Sequence, residues 1–311
     1  MCHCGTCRCA AIAFRLCVTK QEWHVTDDGM LEYPECTHDY QLTTLETADN
    51  YTLYEVRFTS RDTQIAGLLR MPTVPQGNVP GVVLLPGATV TKEGEQGLAK
   101  YLCSLGYASI ALDQRNVGVI DMRSNLQTFL NGEEPIEHKM VHDALAAAEV
   151  LRDQPGINPD RIVFAGESNG ARFAIIACAL DPKARGVIAI STCGYGIDAA
   201  ITSEKLVDPD MIRFYKSIDP ETYLSKIPPR KLVMIHSVND TIIPYENAEQ
   251  TYAKASRRKN CIPLRALRMG IVRRWMRLSK LNLGVCFFSS LEVWRLSLIG
   301  TNLKTTKPLN R

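Results

Sequence analysis

The stretch richest in chemistry is Arg161-Ile-Val-Phe-Ala-Gly166-Glu167-Ser168-Asn169-Gly170-Ala171-Arg172. It sets a serine between two glycines, Gly-x-Ser-x-Gly, after an apolar run and before an apolar pattern of helical spacing. That context suits a tight strand-to-helix turn with the serine at its apex. Such a turn needs unusual backbone dihedrals, and a side chain at 166 or 170 would crowd it. The hydroxyl of Ser168 is then lifted clear of the sheet edge, beside a helix N-terminus whose dipole favours developing negative charge. The backbone N–H of Asn169 becomes a donor for an oxyanion. The chemistry that uses this arrangement is acyl transfer with Ser168 as nucleophile; the plain alternative is a surface turn.

Other reactive side chains are less ordered. The six histidines are His3, His24, His38, His138, His142 and His236. His138 and His142 stand four apart, with Asp143 next, which suits either a metal pair or a packed helix face. Six of the 11 cysteines fall in the first 36 residues. Cys2, Cys4, Cys7 and Cys9 crowd four thiols into eight residues and are the metal-ligand candidates. Zinc sites usually close a tetrahedron from two separated pairs, and no second pair follows at a dozen or more residues. The reading is therefore no metal and no cofactor, with residues 1–50 as a Cys-rich appendage.

The elements that must position Ser168 can be read from periodicity. Tyr51–Thr59 and Gln64–Met71 alternate around a Ser-Arg-Asp-Thr turn and predict an antiparallel hairpin. Gly81–Leu85, Ala108–Leu112, Arg161–Ala165, Gly186–Ser191 and Lys231–Ile235 are short apolar runs that suit strands covered on both faces. Helical patterns lie between them at 93–105, 138–153 and 169–180, and a further one at 245–257. Residues 193–230 hold four prolines, which fits a small lid insertion. Strands alternating with helices after a hairpin predict an α/β domain with a mostly parallel sheet.

With these residues in place, the chain resembles the α/β-hydrolase superfamily, in its dienelactone hydrolase, acyl-peptidase and serine-aminopeptidase branch, over residues 51–264. The resemblance implies an ester, thioester or small amide as substrate and an acyl-serine intermediate. Val82-Val-Leu-Leu-Pro86-Gly87-Ala88 matches the strand and turn that supply the second oxyanion N–H, with Pro86 where His is usual and Ala88 as the implied donor. Leu112-Asp113-Gln114-Arg115-Asn116 resembles a structural Asp-x-Arg-Gly turn, or else a surface ion pair. Val233-Met-Ile-His236-Ser-Val-Asn-Asp240-Thr-Ile-Ile-Pro244 resembles the strand-loop of the catalytic carboxylate, implying that Asp240 orients a histidine; alternatively Asp240 is a helix N-terminal acid. In this family the base follows the acid, yet no histidine lies beyond Asp240. His236 occupies a position that has no catalytic role in the family.

The charge distribution breaks where that histidine is expected. Residues 251–311 hold 14 Lys/Arg and one acid, Glu292, although the whole chain has 36 basic and 33 acidic side chains and a net charge of +3. An acidic body thus precedes a basic end. Asn260–Leu264 reads as a last strand, and instead of a His-Gly pair Arg265-Ala-Leu-Arg-Met-Gly270 follows. The preferred reading is a reading-frame change near residue 265, making 265–311 an aberrant tail and the hydrolase impaired. Two rivals stand beside it: a non-catalytic binding protein that keeps the pocket, and a hydrolase that uses the basic tail at a membrane surface. The partner expected is a small acyl substrate, with no nucleic acid because the hydrolase-like region lacks a clustered basic face. No apolar run approaches about 18 residues, no signal peptide is evident, and a reducing, cytoplasmic setting is expected.

Overall fold

The computed structural model describes residues 23–34, 39–73, 78–256 and, as backbone alone, 265–267 of the 311-residue chain. Cys2, Cys4, Cys7, Cys9, the expected strand at 260–264 and the tail after 267 lie outside the described residues.

Two short strands, β1 (His24–Val25) and β2 (Leu31–Glu32), form a small hairpin. The main sheet begins at β3 (Tyr40–Ala48), followed by β4 (Tyr51–Ser60) and β5 (Thr63–Pro72). These three pair antiparallel, and the predicted hairpin is β4–β5. The sheet thus starts ahead of residue 51, where the sequence placed the boundary, because β3 is an exposed edge strand with no buried face to mark it. After β6 (Val79–Leu85) come α1 (Gln96–Ser104), β7 (Ala108–Leu112), α2 (Met122–Leu130), α3 (Ile136–Arg152), β8 (Ile157–Glu167), α4 (Asn169–Leu180) and β9 (Gly186–Ile190). Helices α5 (Ile197–Thr202), α6 (Pro209–Ile218) and α7 (Pro220–Tyr223) fill the inserted segment before β10 (Lys231–Ser237), α8 (Tyr245–Ser256) and β11 (Arg265–Leu267). That last strand lies just past the residue-264 limit read from the sequence.

The nine strands lie in the order β11-β10-β9-β8-β6-β7-β5-β4-β3, and β6 to β11 run parallel. Alternation fills both faces. Val82 and Leu84 pack with Leu98 and Leu102 of α1, whereas Val83, Leu85, Ile162 and Phe164 join the larger core with α3 and α4. The inserted segment is anchored rather than loose. Phe214 and Tyr223 are fully buried, Phe214 stacks 5.5 Å from Phe129, and the Tyr223 hydroxyl accepts from the Leu31 N–H at 2.8 Å. No described helix is long and apolar enough to cross a membrane.

Topology decides where a site can form. From β6 the chain steps to β7 on one side and later to β8 on the other. The order therefore reverses at β6, and a crevice opens at the C-terminal ends of β6 and β8.

Candidate active site

Ser168 stands in that crevice, between the end of β8 and the start of α4. Its backbone takes φ 54°, ψ −118°, a conformation L-residues rarely adopt. Two glycines make the turn sterically feasible. A Cβ on Gly166 would lie 2.5 Å from the Gly170 carbonyl carbon, and one on Gly170 would strike the Leu85 and Pro86 carbonyl oxygens. The strained residue is pinned on both sides: its N–H donates to the Ile190 carbonyl at 2.9 Å, and its own carbonyl accepts from the Thr192 hydroxyl at 2.9 Å.

The two expected oxyanion donors sit beside it. Asn169 is the first residue of α4, so its N–H has no acceptor within the helix. The loop after β6 passes close by, since a Cβ on Gly87 would be 3.7 Å from the Ser168 Cβ. Ala88 follows in this loop, held by the Thr89 N–H donating to the Val117 carbonyl at 2.7 Å. Gly118, at φ +71°, backs onto Ala88: a Cβ there would lie 3.2 Å from the Ala88 Cα. The Asn169 side chain closes the ring by donating to the Gly118 carbonyl at 3.2 Å while accepting from Arg172 at 2.7 Å.

Asp240 follows β10, two strands from the serine. Its Oδ1 accepts from the Ile242 and Ile243 N–H groups at 2.9 and 3.0 Å, so it organises the turn ahead of α8. Its Oδ2 lies 3.6 Å from the Nε2 of His236. His236 is 1 % exposed, and its Nε2 donates to the Ile243 carbonyl at 2.8 Å. It buttresses the Asp240 loop. The other two described helical histidines are remote from the crevice. His138 meets the Ser217 hydroxyl at 2.6 Å and His142 the Ser60 hydroxyl at 2.7 Å, so they face different partners and form no metal pair. Burial holds His138 down to about 3.

Two carboxylates at the site escaped sequence reading. Glu167 precedes the nucleophile; burial and the charge of Asp240 both raise its pKa. Glu95, just before α1, is pushed up to about 7 by burial and the charge of Glu167. Leu84, Leu85, Leu98, Ala165 and Gly166 surround the pair. The Glu167–Asp240 coupling brings the acid loop to the same end of the sheet as Ser168. Nothing in the sequence marks Glu95, because only folding brings it against β8.

The Asp113-Gln114-Arg115 turn is structural. Asp113 takes Lys92 Nζ at 2.6 Å, and Gln114 donates to the Pro86 carbonyl. Arg115 donates from Nε and Nη2 to Asp143 at 2.7 and 3.0 Å. These contacts fix the Ala88 loop from the β7 side.

Comparison with known proteins fits this geometry. The acetyl xylan esterase (AXE1) family model matches residues 24–239. A curated acyltransferase, drtE of Aspergillus calidoustus, is 33 % identical over 124 residues, which are 39 % of this chain and 38 % of that protein. The uncharacterised protein YfhR of Escherichia coli O157:H7 is 27 % identical over 130 residues, 41 % of this chain and 45 % of that one. The matched region thus spans less than half the length of these relatives. Among solved structures, an acetyl xylan esterase from Paenibacillus sp. R4 superposes with a TM-score of 0.61 at 16 % identity, covering 80 % of this chain and 90 % of the other. The Pyrococcus horikoshii acylaminoacyl peptidase gives 0.53 at 19 % identity, over 73 % and 39 %. These likenesses are of fold.

Proposed function

The chain belongs to the acetyl xylan esterase (AXE1) family, within the α/β-hydrolase superfamily, and we propose that its site is built to cleave a small acyl ester through an acyl-serine intermediate. In this reading Ser168 Oγ attacks the ester carbonyl. The Asn169 and Ala88 N–H groups hold the oxyanion, and collapse expels the alcohol and leaves Ser168 acylated; water then releases the acid. Asp240, with Oδ2 left over after Oδ1 organises its turn, is the carboxylate that would orient a base. The observation that supports this reading is the backbone of Ser168, held at φ 54°, ψ −118° by glycines that tolerate no side chain. Strain of that kind is kept where surrounding structure over-determines it, as at a nucleophile.

In this reading the base is the missing part. No histidine follows Asp240, and His236 is committed to the Ile243 carbonyl. The donor half of the machinery then works on an unactivated hydroxyl, several orders of magnitude below an intact triad. A reading-frame change near residue 265 accounts for a basic end where the base belongs.

Labelling by a fluorophosphonate, together with hydrolysis of p-nitrophenyl acetate, tests the reading. Slow labelling that Ser168→Ala abolishes is expected. Labelling that survives Ser168→Ala refutes the nucleophile, and rapid labelling lost in that variant refutes the missing base. Resequencing the gene tests the frame change, which fails if no other frame encodes a His-Gly pair followed by an amphipathic helix.

A further inference from the structure

We propose that a cavity at the opposite end of the sheet binds a small organic phosphate of nucleotide size. This cavity, about 580 Å³, lies at the N-terminal ends of β6, β8, β9 and β10. Pockets for small molecules span about 300–1,000 Å³. From Arg161 at its rim to Ser168 is seven residues of extended strand, about 23 Å at ~3.3 Å each, so it is distinct from the crevice above.

Its lining holds Arg161, Lys183, Arg185, Arg230 and Lys231 against one acid, Asp160. Cations at this end of an α/β sheet have an ordinary use, because helix C-termini present unpaired carbonyls there. Arg230 serves that use: it donates to the carbonyls of Cys178 and Asp181 at the end of α4, and to those of Lys226 and Ile227. Lys183 lies 3.8 Å from Glu149. Arg161 and Arg185 remain over. Both are exposed, and neither guanidinium pairs with another described residue.

These two arginines line the same cavity. The Arg185 N–H donates to the Ile162 carbonyl at 2.8 Å, so the two backbones run along neighbouring strands. Two guanidinium groups lining one cavity repel one another, and an anion bound between them offsets that repulsion. Phosphate oxygens match the guanidinium fork bidentately. Tyr107, Pro80, Pro182 and Pro229 supply apolar walls, which suit a planar organic group attached to the phosphates. The ligand class that meets both surfaces is an organic di- or triphosphate.

Equilibrium dialysis of the full chain against ADP and against inorganic pyrophosphate, at about 0.1 M salt, tests this. Both probes are expected to bind, ADP the more tightly, with at least a tenfold loss of ADP affinity in Arg161→Glu/Arg185→Glu. Arg161→Gln/Arg185→Gln, a milder change at two exposed positions, is expected to lose affinity in the same direction. The basic residues beyond 251 can also collect polyanions, so the variants decide. ADP binding unchanged in both double variants, or no binding of either probe at millimolar concentration, overturns the proposal. Pyrophosphate binding as tightly as ADP overturns its organic part.

Discussion

Replacing Ser168 by glycine is expected to stabilise the protein while abolishing labelling, and the sign of that change is diagnostic. At an ordinary position glycine is less stable than alanine by about 0.4–1 kcal/mol, because it widens the unfolded ensemble. At φ 54°, ψ −118° a residue with a Cβ bears strain of about 1–3 kcal/mol, which glycine relieves and alanine keeps. Subtracting the unfolded-state cost leaves glycine ahead of alanine by about 1 kcal/mol. Loss of the hydroxyl does not confuse the comparison, because Ser168 makes no side-chain capping bond to α4. Urea unfolding of Ser168→Gly and Ser168→Ala, followed by circular dichroism, measures the difference. In a folded body of this size about 1 kcal/mol moves Tm by roughly 2–4 °C, so a thermal melt provides a second check. If alanine is the more stable of the two, the elbow is unstrained and the case for Ser168 as nucleophile loses its physical basis.

Four other substitutions have defined outcomes. Arg115→Ala strands Asp143, whose side chain is 5 % exposed, and breaking such a buried pair should cost about 3–5 kcal/mol by urea unfolding; Asp62→Asn, at the exposed end of the same arginine, should cost about 0–1 kcal/mol. His138 is held down to about 3 by burial, so the unfolded chain binds its proton first and stability is lost as pH falls below about 6.5. By pH 5 this amounts to about 2 kcal/mol, and His138→Gln should remove that share of the pH dependence; unchanged urea midpoints between pH 7 and 5 relative to wild type would count against it. Glu95 has the opposite sign. Pushed up to about 7, it stabilises below about pH 4.5 and loses this as pH rises to 7, so Glu95→Gln should flatten the decline by at most about 3 kcal/mol.

What the sequence made legible depends on whether a feature was local. The cores of the central strands and the whole of β7 and α4 could be read, because each strand is buried on both faces, although β8 runs on at both ends past the apolar Arg161–Ala165 that marked it. The elbow was legible for a related reason: its strain demands glycines at fixed offsets. β3 was not, since seven of its nine residues are exposed and only the ladder with β4 defines it. α2 does have a local mark, Asp121, whose carboxylate accepts from the Arg123 and Ser124 N–H groups, but its weakly apolar face hides it. Gly118 against Ala88, and Glu95 against Glu167, join segments at least 30 positions apart, and no spacing within either segment announces them.

The Asp113-Gln114-Arg115 turn shows what this means for the chemistry. Read as sequence, it fits a structural turn or a surface ion pair equally. In the fold its three side chains reach two separate segments: Lys92 and the Pro86 carbonyl in the loop after β6, and Asp143 in α3. The first two flank Ala88, so the loop bearing the proposed second oxyanion donor is braced from β7. The Asn169 side chain braces it from α4 through the Gly118 carbonyl. By contrast, the acid side of the site ends at Asp240 Oδ2, whose nearest histidine is already occupied by the Ile243 carbonyl. On the proposed reading, with the Asn169 and Ala88 donors braced and no base paired with Asp240, the site should still bind a tetrahedral anion, such as a boronate adduct at Ser168, while turning over an ester poorly. That separation between binding and turnover is how loss of the base would show itself, because a collapsed oxyanion hole would weaken both together.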